Sequence, residues 1–371
     1  MPPVDYHLGQ FPPTNNIDWA ALVPLLGPAN AALARYDGML RAIPNAHILL
    51  SPLMTQEAVL SSKIEGTYTT MGEVMEFEAG KKQADPEKRE DMREVLNYRS
   101  SMYEALNLMK ELPLCQRVIR SAHEVLLDGV RGKNKSPGRY RTTQNYIGQK
   151  GRTPEQARFV PIAPEKLNEA MGAWENFIHA ESPDALVQLA ILHAEFEAIH
   201  PFNDGNGRMG RMLVPLFLFQ KGMLHQPSFY ISAYFERHRD EYYDGLLAVS
   251  RDGDWTGWCE YFLKSVIAQA QEDGAKVQEI LALYGEKKKT IAEATNSKYA
   301  SYVTDFLFER PIFNGSTFVH SSEIPHRSAR RLLQSIEDHG LVLKVAPSSG
   351  RSSGIYVFKE LMNITEGRKE F

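Results

Sequence analysis

Two strongly apolar stretches flank a polar loop, and this arrangement constrains the fold more than any other feature. Pro183 to Ile199 reads as a helix that is apolar on nearly every side and therefore central. After Gly205 a second buried helix runs to about Gln220. Between them lies His200-Pro201-Phe202-Asn203-Asp204-Gly205-Asn206-Gly207-Arg208-Met209-Gly210-Arg211. Placing a histidine, an aspartate, three glycines and two arginines between such helices is costly if packing is the only return.

The chemistry of the loop suits a phosphate. Gly205, Asn206 and Gly207 would present backbone N–H groups at a helix start, where the macrodipole favours anions. Arg208 and Arg211 lie three apart, on adjacent turns of one face, and guanidinium groups match phosphate oxygens. Asp204 beside such a cradle is a natural Mg²⁺ ligand. His200 is the one group in the loop able to accept a proton near neutral pH.

Three rival readings compete for the same residues. Gly205, Gly207 and Gly210 match G-x-G-x-x-G, but that fingerprint follows a strand and here a helix precedes it. Glu197 and His200 match the Glu-x-x-His pair of di-iron bundles. The only other such pair, Glu323 and His326, is interrupted by Pro325 and lies far downstream. His193 and His200 are seven apart, not the four of a zinc protease, and His193 is expected to be a satisfied core histidine.

The rest of the chain reads as mainly helical. Residues 1–17, rich in Pro and Asn, are expected to be extended. Ser51 is a suitable N-cap and Pro52 a suitable first position for a helix running to Glu65 and stopped by Gly66. A charged loop is expected over Gly80 to Arg93, then helices from Glu94 to Lys110 and from Gln116 to Gly129. Residues 131–163 break the pattern, with β-prone pieces around Tyr140, Asn145 to Ile147 and Arg158 to Val160, and suggest a hairpin or flap. Residues 264–290 read as a helical connector. A helix near Tyr299 to Glu309, Ser321-Ser322-Glu323, a helix from about His326 to His339 and β-prone pieces at Leu341–Val345 and Ile355–Lys359 match a winged helix-turn-helix, the pieces joined by a turn over Pro347 to Gly354.

Composition narrows the function classes. The chain has 371 residues, 43% apolar and 24% charged, as soluble globular proteins do. Its net charge of −4 gives no global attraction to nucleic acid, though a local basic patch is still allowed. Cys115 and Cys259 are the only two cysteines, far apart and in no metal-binding spacing, so a reducing compartment, the cytoplasm, is expected. Met1 to Gln10 lacks the pattern of a signal peptide, and the apolar stretch Met212 to Phe219 is too short to span a bilayer, so no membrane association is expected.

The string His200 to Arg211 resembles the Fic signature, H-P-F-x-[D/E]-G-N-G-R-x-x-R, at every position. Ser61-Ser62-Lys63-Ile64-Glu65-Gly66 is similar to that family's inhibitory motif, [S/T]-x-x-x-E-[G/N]. Gly138-Arg139-Tyr140-Arg141 and Asn145-Tyr146-Ile147-Gly148 resemble the segment leading into its target-docking flap. Tyr242-Tyr243 and Asp254-Trp255 resemble its downstream core. The resemblance covers roughly Leu49 to Leu263.

It implies an all-α fold: a Fic helical core with a small β-hairpin flap, plus a C-terminal winged helix-turn-helix. The expected boundaries are 1–112 for an N-terminal helical region with an inhibitory helix at about 51–66, 113–264 for the core, 265–290 for the connector and 291–371 for the winged helix. The implied activity is transfer of AMP from Mg-ATP to a Ser, Thr or Tyr hydroxyl of a target protein docked at the flap. The protein itself is a candidate target, a homodimer a candidate assembly, and removal of AMP a candidate second reaction. His200 would be the base and Phe202 the anchor of the loop. Asp204 would hold Mg²⁺, and Gly205, Asn206 and Gly207 would form the anion hole. Arg208 and Arg211 would bind the outer phosphates, with Met209 and Gly210 completing the nucleotide-binding stretch. Tyr243 would line the adenine pocket. Gly207 stands where the phosphotransfer branch of the family commonly has Lys, which favours AMP transfer. Ser61, Glu65 and Gly66 would form the inhibitory element, with Glu65 paired to Arg211 where the γ-phosphate must sit. His326, Arg327, Arg330 and Arg331 make duplex DNA a candidate partner of the last domain. The alternatives are a transcription regulator in which the core is only a nucleotide sensor, and transfer of another nucleotide or of phosphocholine.

Overall fold

The computed structural model describes residues 2–43, 46–148, 153–320, 324–347 and 353–367. In chain order the elements begin with β1 (Val4–Asp5), α1 (Trp19–Arg41), α2 (Ala46–Ile64), α3 (Met71–Glu78), α4 (Pro86–Leu108) and α5 (Gln116–Leu126). Next come β2 (Phe159–Val160), α6 (Leu167–His179), α7 (Ala185–Ile199), α8 (Asn206–Gln220), α9 (Ser232–Arg237), α10 (Arg239–Asp252) and the long α11 (Trp255–Thr295). The last are α12 (Ala300–Glu309), β3 (Ile312–Asn314), α13 (Gly315–His320), α14 (His326–Asp338), β4 (Leu343–Ala346), β5 (Ile355–Val357) and α15 (Lys359–Glu366). The chain divides into two compact units. The first holds residues 1–37, 60–66 and 97–271, the second 38–59, 67–96 and 272–371.

In the first unit α7 is the central helix and packs against α6, α8 and α10. Asp184 starts it, its carboxylate accepting the N–H groups of Leu186 and Val187 at 2.8 and 3.1 Å. Every residue of α7 except Ala185 and Glu197 is buried. The indoles of Trp174 and Trp258 donate to the α7 carbonyls of Leu192 and Ala190, so its polar backbone is paired where it meets the aromatic core. Of the amino-terminal stretch expected to be extended, Val4–Asp5 forms a strand, β1, which pairs in parallel with β2, Val4 opposite Phe159 and Asp5 opposite Val160, while the residues up to Asn16 fold into turns. On its other side Phe159 makes one antiparallel bridge, to Ile147. Among the described residues that bridge is the pairing of the flap within itself.

In the second unit a three-stranded antiparallel sheet has the order β3-β5-β4. Helix α14 is strongly amphipathic, burying Ala329, Leu332, Leu333 and Ile336. Phe306, Phe313 and Phe318 meet edge to face and tilted, with centroids 5.0–5.9 Å apart.

The structure corrects several local expectations. Ser51 does not cap α2, because the apolar residues Leu49 and Leu50 extend the buried face upstream and Pro52 lies inside the helix. Much of the segment Gly80–Arg93 is helical, since Pro86 opens α4 and the Asp85 carboxylate accepts the N–H of Glu87 at 2.9 Å. Helix α3 was not foreseen, although Thr70 and Glu73 form a reciprocal capping box that its sequence spells out. Tyr140 is not in a strand; its hydroxyl donates to Gln116 and its ring packs on Phe202. Helix α1, with Pro24 and Pro28 inside it, and strand β3 were also unforeseen. Ser321 to Glu323 and the turn residues 348–352 lie outside the described residues.

Candidate functional site

The polar loop is built at the carboxyl end of α7. His200 caps that helix in the left-handed conformation, φ 51° and ψ 60°, a region where glycine or asparagine is usual. Arg141 compensates. Its buried guanidinium donates to the carbonyls of His200 (2.9 Å), Ile199 (3.2 Å), Thr143 (3.1 Å) and Ile162, while its own N–H bonds the Pro201 carbonyl. A cation on the last carbonyls of a helix is favoured by the dipole as well as by the hydrogen bonds.

The far side of the loop is held by His123 and Asn206. The Nδ1 atom of His123 accepts the N–H of Gly138 at 3.0 Å, so Nε2 carries the proton and donates to the Asp204 carbonyl at 2.9 Å. Burial lowers the His123 pKa to about 4, so the ring is neutral. The same ring stacks on Phe202, centroids 3.6 Å apart. The Asn206 amide both accepts from the Phe202 N–H and donates to its carbonyl, each at 2.8 Å. Asn206 thus shapes the turn with its side chain. Gly205, φ 77°, caps α8, whose first amides have no carbonyl within the helix to reach.

His200 is part-buried, and its Nδ1 lies 3.3 Å from the Glu197 carbonyl, which assigns the proton to Nδ1 and leaves Nε2 as the acceptor. Burial lowers its pKa to about 4, only partly offset by the Glu197 carbonyl and the Glu65 charge. The imidazole is therefore a neutral base across the physiological range. His193 is a satisfied core histidine, as expected, donating to the Gly210 carbonyl and accepting from Tyr242.

Arg211 is the most constrained charge in the site, its side chain 1% exposed. Its Nε donates to Ser61 Oγ at 2.9 Å, and one terminal nitrogen donates to the Ser61 carbonyl at 2.8 Å and to Glu65 Oε1 at 2.7 Å. Burial opposes ionisation of Glu65, but Arg211, with Arg208 and His200, outweighs it and holds the carboxyl below the usual range. The Glu65 side chain is still 37% accessible because it faces a cavity. The end of α2 is fixed further by Arg239, which donates to the Ile64 carbonyl at 2.5 Å, and by the pair Lys63–Glu236. Gly66, φ 91°, turns the chain away as expected.

The cavity beside these groups has a volume of about 290 Å³. Glu65, Glu197, His200, Gly207 and Arg211 form its polar end, and Tyr242, Tyr243, Leu246 and Leu247 an apolar wall. A Cβ on Gly207 would collide with Glu65 Oε1, and one on Gly210 with Glu197 Oε1. Arg208 is buried, 3.5 Å from the carboxylate of Asp204. That carboxylate is 42% exposed and also accepts the Gly205 N–H at 2.6 Å. Among the described residues no three acidic, His or Cys side chains gather as a metal cage. A lone carboxylate suits Mg²⁺ only where phosphates supply further oxygens. The structure thus brings together Ser61, Glu65, His200, Asp204 to Arg211 and Tyr243. His123, Arg141, Glu197 and Arg239 were not singled out as site residues beforehand.

A helical body whose central helices are joined by a glycine- and arginine-rich turn, with a neutral histidine at one end and an internal carboxylate on its last arginine, defines the class. The chain belongs to the Fic/DOC family: the Fic/DOC family N-terminal model matches residues 23–107 and the Fic/DOC family model residues 113–218. It is 28% identical over 169 residues to protein adenylyltransferase fic-1 of Caenorhabditis briggsae, covering 42% of this chain and 30% of that protein. It is 33% identical over 137 residues to protein adenylyltransferase fic-1 of Caenorhabditis elegans, covering 36% and 24%. The chain therefore matches less than a third of the length of either. Its fold is similar to that of a Fic family protein from Desulfovibrio desulfuricans G20, with a TM-score of 0.58 at 20% identity over 91% of this chain and 95% of that one. Fic-1 of C. elegans gives a TM-score of 0.53 at 22% identity, covering 68% and 72%. Among the described residues no helix is long and apolar enough to cross a membrane.

The contact between Glu65 and Gly207 makes a direct prediction. Gly207→Ala should displace the carboxylate from Arg211 and lower stability by about 1.5–3 kcal/mol, the worth of a charge-assisted hydrogen bond. In a Glu65→Gly background the same change should cost clearly less. Equal costs in the two backgrounds, read by denaturant melts, would show that Gly207 and Glu65 are not coupled.

Proposed function

We propose that this chain is a protein adenylyltransferase that moves AMP from ATP to a hydroxyl side chain of a target protein and is restrained by its own Glu65. The observation that carries this reading is the Arg211–Glu65–Ser61 contact at the mouth of the loop. A buried arginine needs an anion, and Glu65 occupies the position that an outer phosphate of ATP would take. With Glu65 in place ATP would bind with its α-phosphate out of line; with Glu65 withdrawn, Arg211 would seat the γ-phosphate and Arg208 the β-phosphate. The amides at the start of α8 would hold phosphate oxygens, and Tyr243 would face the adenine. His200 Nε2 would take the hydroxyl proton as the oxygen attacks the α-phosphate and pyrophosphate leaves. Asp204 is the residue that would hold Mg²⁺. When bound, that ion neutralises phosphate charge as the leaving group departs. The flap near Ile147 would dock the target backbone. The protein itself, or a second copy, is the simplest first target, and AMP removal with Glu65 orienting water is the companion reaction.

The experiment is mass spectrometry of the purified protein after incubation with Mg-ATP. Glu65→Gly should raise AMP automodification about tenfold or more, since the displaced pair is worth about 1.5–3 kcal/mol. Adding His200→Ala should then lower it by about 10²–10⁴-fold with ATP binding retained. The acid limb of kcat/KM should fall near pH 4 rather than near 6.5, because burial keeps the base neutral. A folded Glu65→Gly protein no more active than the parent would overturn the inhibition, and a labelled nucleotide other than ATP consumed in preference would overturn the AMP assignment.

The role of Asp204 separates from a merely structural one. In the Glu65→Gly background Asp204→Ala should lower turnover more than ATP affinity and flatten the Mg²⁺ dependence of activity. An unchanged Mg²⁺ curve with a lowered melting temperature would leave Asp204 only its bonds to Gly205 and Arg208.

A second reading concerns the carboxyl-terminal unit, which we read as a winged helix. Helix α14 buries one face and exposes Arg327, Arg330 and Arg331 on the other, with His326 at its start and no acidic residue in its first turn. Such a face suits duplex DNA. Arg330→Glu with Arg331→Glu in the full-length protein should abolish a duplex mobility shift that weakens with salt. No shift by the parent protein at low salt would exclude this partner.

A further inference from the structure

The geometry points to Glu197 as a further ligand-contacting residue of this site, a second carboxyl group beside Glu65 through which the outer phosphate oxygens of a nucleoside triphosphate are bound together with a proton. The inference rests on the function proposed above. Gly207 and Gly210 are three apart and so lie on one face of α8. Each lacks a side chain where a carboxyl group sits: Glu65 Oε1 against Gly207 and Glu197 Oε1 against Gly210. Both acids line the same cavity, and the charge of Arg211 acts on both. They differ in their partners. Glu65 Oε1 receives Arg211 at 2.7 Å, whereas Glu197 Oε1 is buried and has no hydrogen-bond partner. A buried acid without a donor is stable only with its proton on.

The groups around Glu197 agree with that state. Burial is the main cause that raises its pKa, to about 8; Arg211 opposes the rise and the charge on Glu65 adds to it. On its own helix His193 is neutral, with a pKa lowered to about 3, and His200 is neutral as well. From α10 come Tyr242 and Tyr243, both with raised pKa, and Arg158 lines the cavity from the flap. A triphosphate that replaced Glu65 would bring more negative charge than the carboxylate it displaced, which favours the proton on Glu197 further. The protonated acid donates a hydrogen bond to a phosphate oxygen, and the ionised form repels it. Ligand affinity should therefore be full below the pKa of Glu197 and fall as pH rises through it.

The test is calorimetric titration with ATP between pH 7 and 9, above the second ionisation of a phosphate ester at about 6. In Glu65→Gly, Kd should rise with pH, approaching about tenfold per unit once the acid ionises. Loss of the Glu65 charge places the midpoint in the free protein below that of the parent. In Glu65→Gly with Glu197→Gln the curve should be flat, and ATP should bind more tightly at pH 9 than to Glu65→Gly alone. Parallel curves would overturn the role of Glu197 while leaving the proposed function standing, and absence of ATP binding to Glu65→Gly at every pH would overturn both. Should the glutamine variant not fold, infrared difference spectra of Glu65→Gly decide instead. A protonated-carboxyl band perturbed by ATP at pH 7 supports the assignment, and no such band overturns it.

Discussion

A guanidinium with 1% of its side chain exposed cannot be left without an anion, and the arrangement of the first unit follows from that of Arg211. Its donors are satisfied by Ser61 and Glu65, some 150 residues away in sequence. The end of α2 must therefore reach α8, and the groups that hold it there are chosen accordingly. Arg239 takes the terminal carbonyl of the helix, Lys63 meets Glu236, and Gly66 turns the chain where another residue would be strained. The carboxylate remains open to the cavity, so on the function proposed above the same arginine would change anions without becoming unpaired.

The loop depends on a second buried cation. Holding His200 in the left-handed region costs conformational energy and turns the last carbonyls of α7 away from helical donors. Arg141 collects those carbonyls, and Pro201 prevents the helix from continuing. His123 and Asn206 then fix the loop from the other side through bonds to its backbone, and the His123 ring also stacks on Phe202. The His200 imidazole is thus aimed by the backbone that carries it, with its proton on the nitrogen nearer Glu197 and its other nitrogen left to accept.

What could be read in the sequence was whatever depends on local pattern. The apolar pair α7 and α8, the glycine- and arginine-rich turn between them and the stop at Gly66 are contiguous and chemically uneven, so they stood out. The pairing of Glu65 with Arg211 was legible only through the family's motif, because a carboxylate at a helix end has no local reason to be there. His123 left no signal, and Arg141 stood out only as part of a segment resembling the family's, without its role, since their partners are main-chain carbonyls and amides that every residue possesses. Helix α3 did carry one, in Thr70 and Glu73, but eight residues are too few for periodicity to assert itself. Helix α1 was hidden by its two prolines, and the start of α2 by a Ser-Pro pair that is a good cap in general and lies mid-helix here.

Gly207 and Gly210 show why one space requirement can serve two ligands. Glycine in such a loop is ordinarily explained by the close approach of phosphate to backbone. Here the groups that make the close approach are carboxyls of the chain itself. A carboxylate and a phosphate face share planar or near-planar oxygen pairs, similar reach and a preference for guanidinium, so a pocket shaped for one admits the other. A side chain added at 207 would therefore exclude the internal acid and, on the function proposed above, the external anion as well. On the function proposed above, restraint and binding would change together on substitution at that position, whereas a change at Glu65, where the competing group is attached, would separate them.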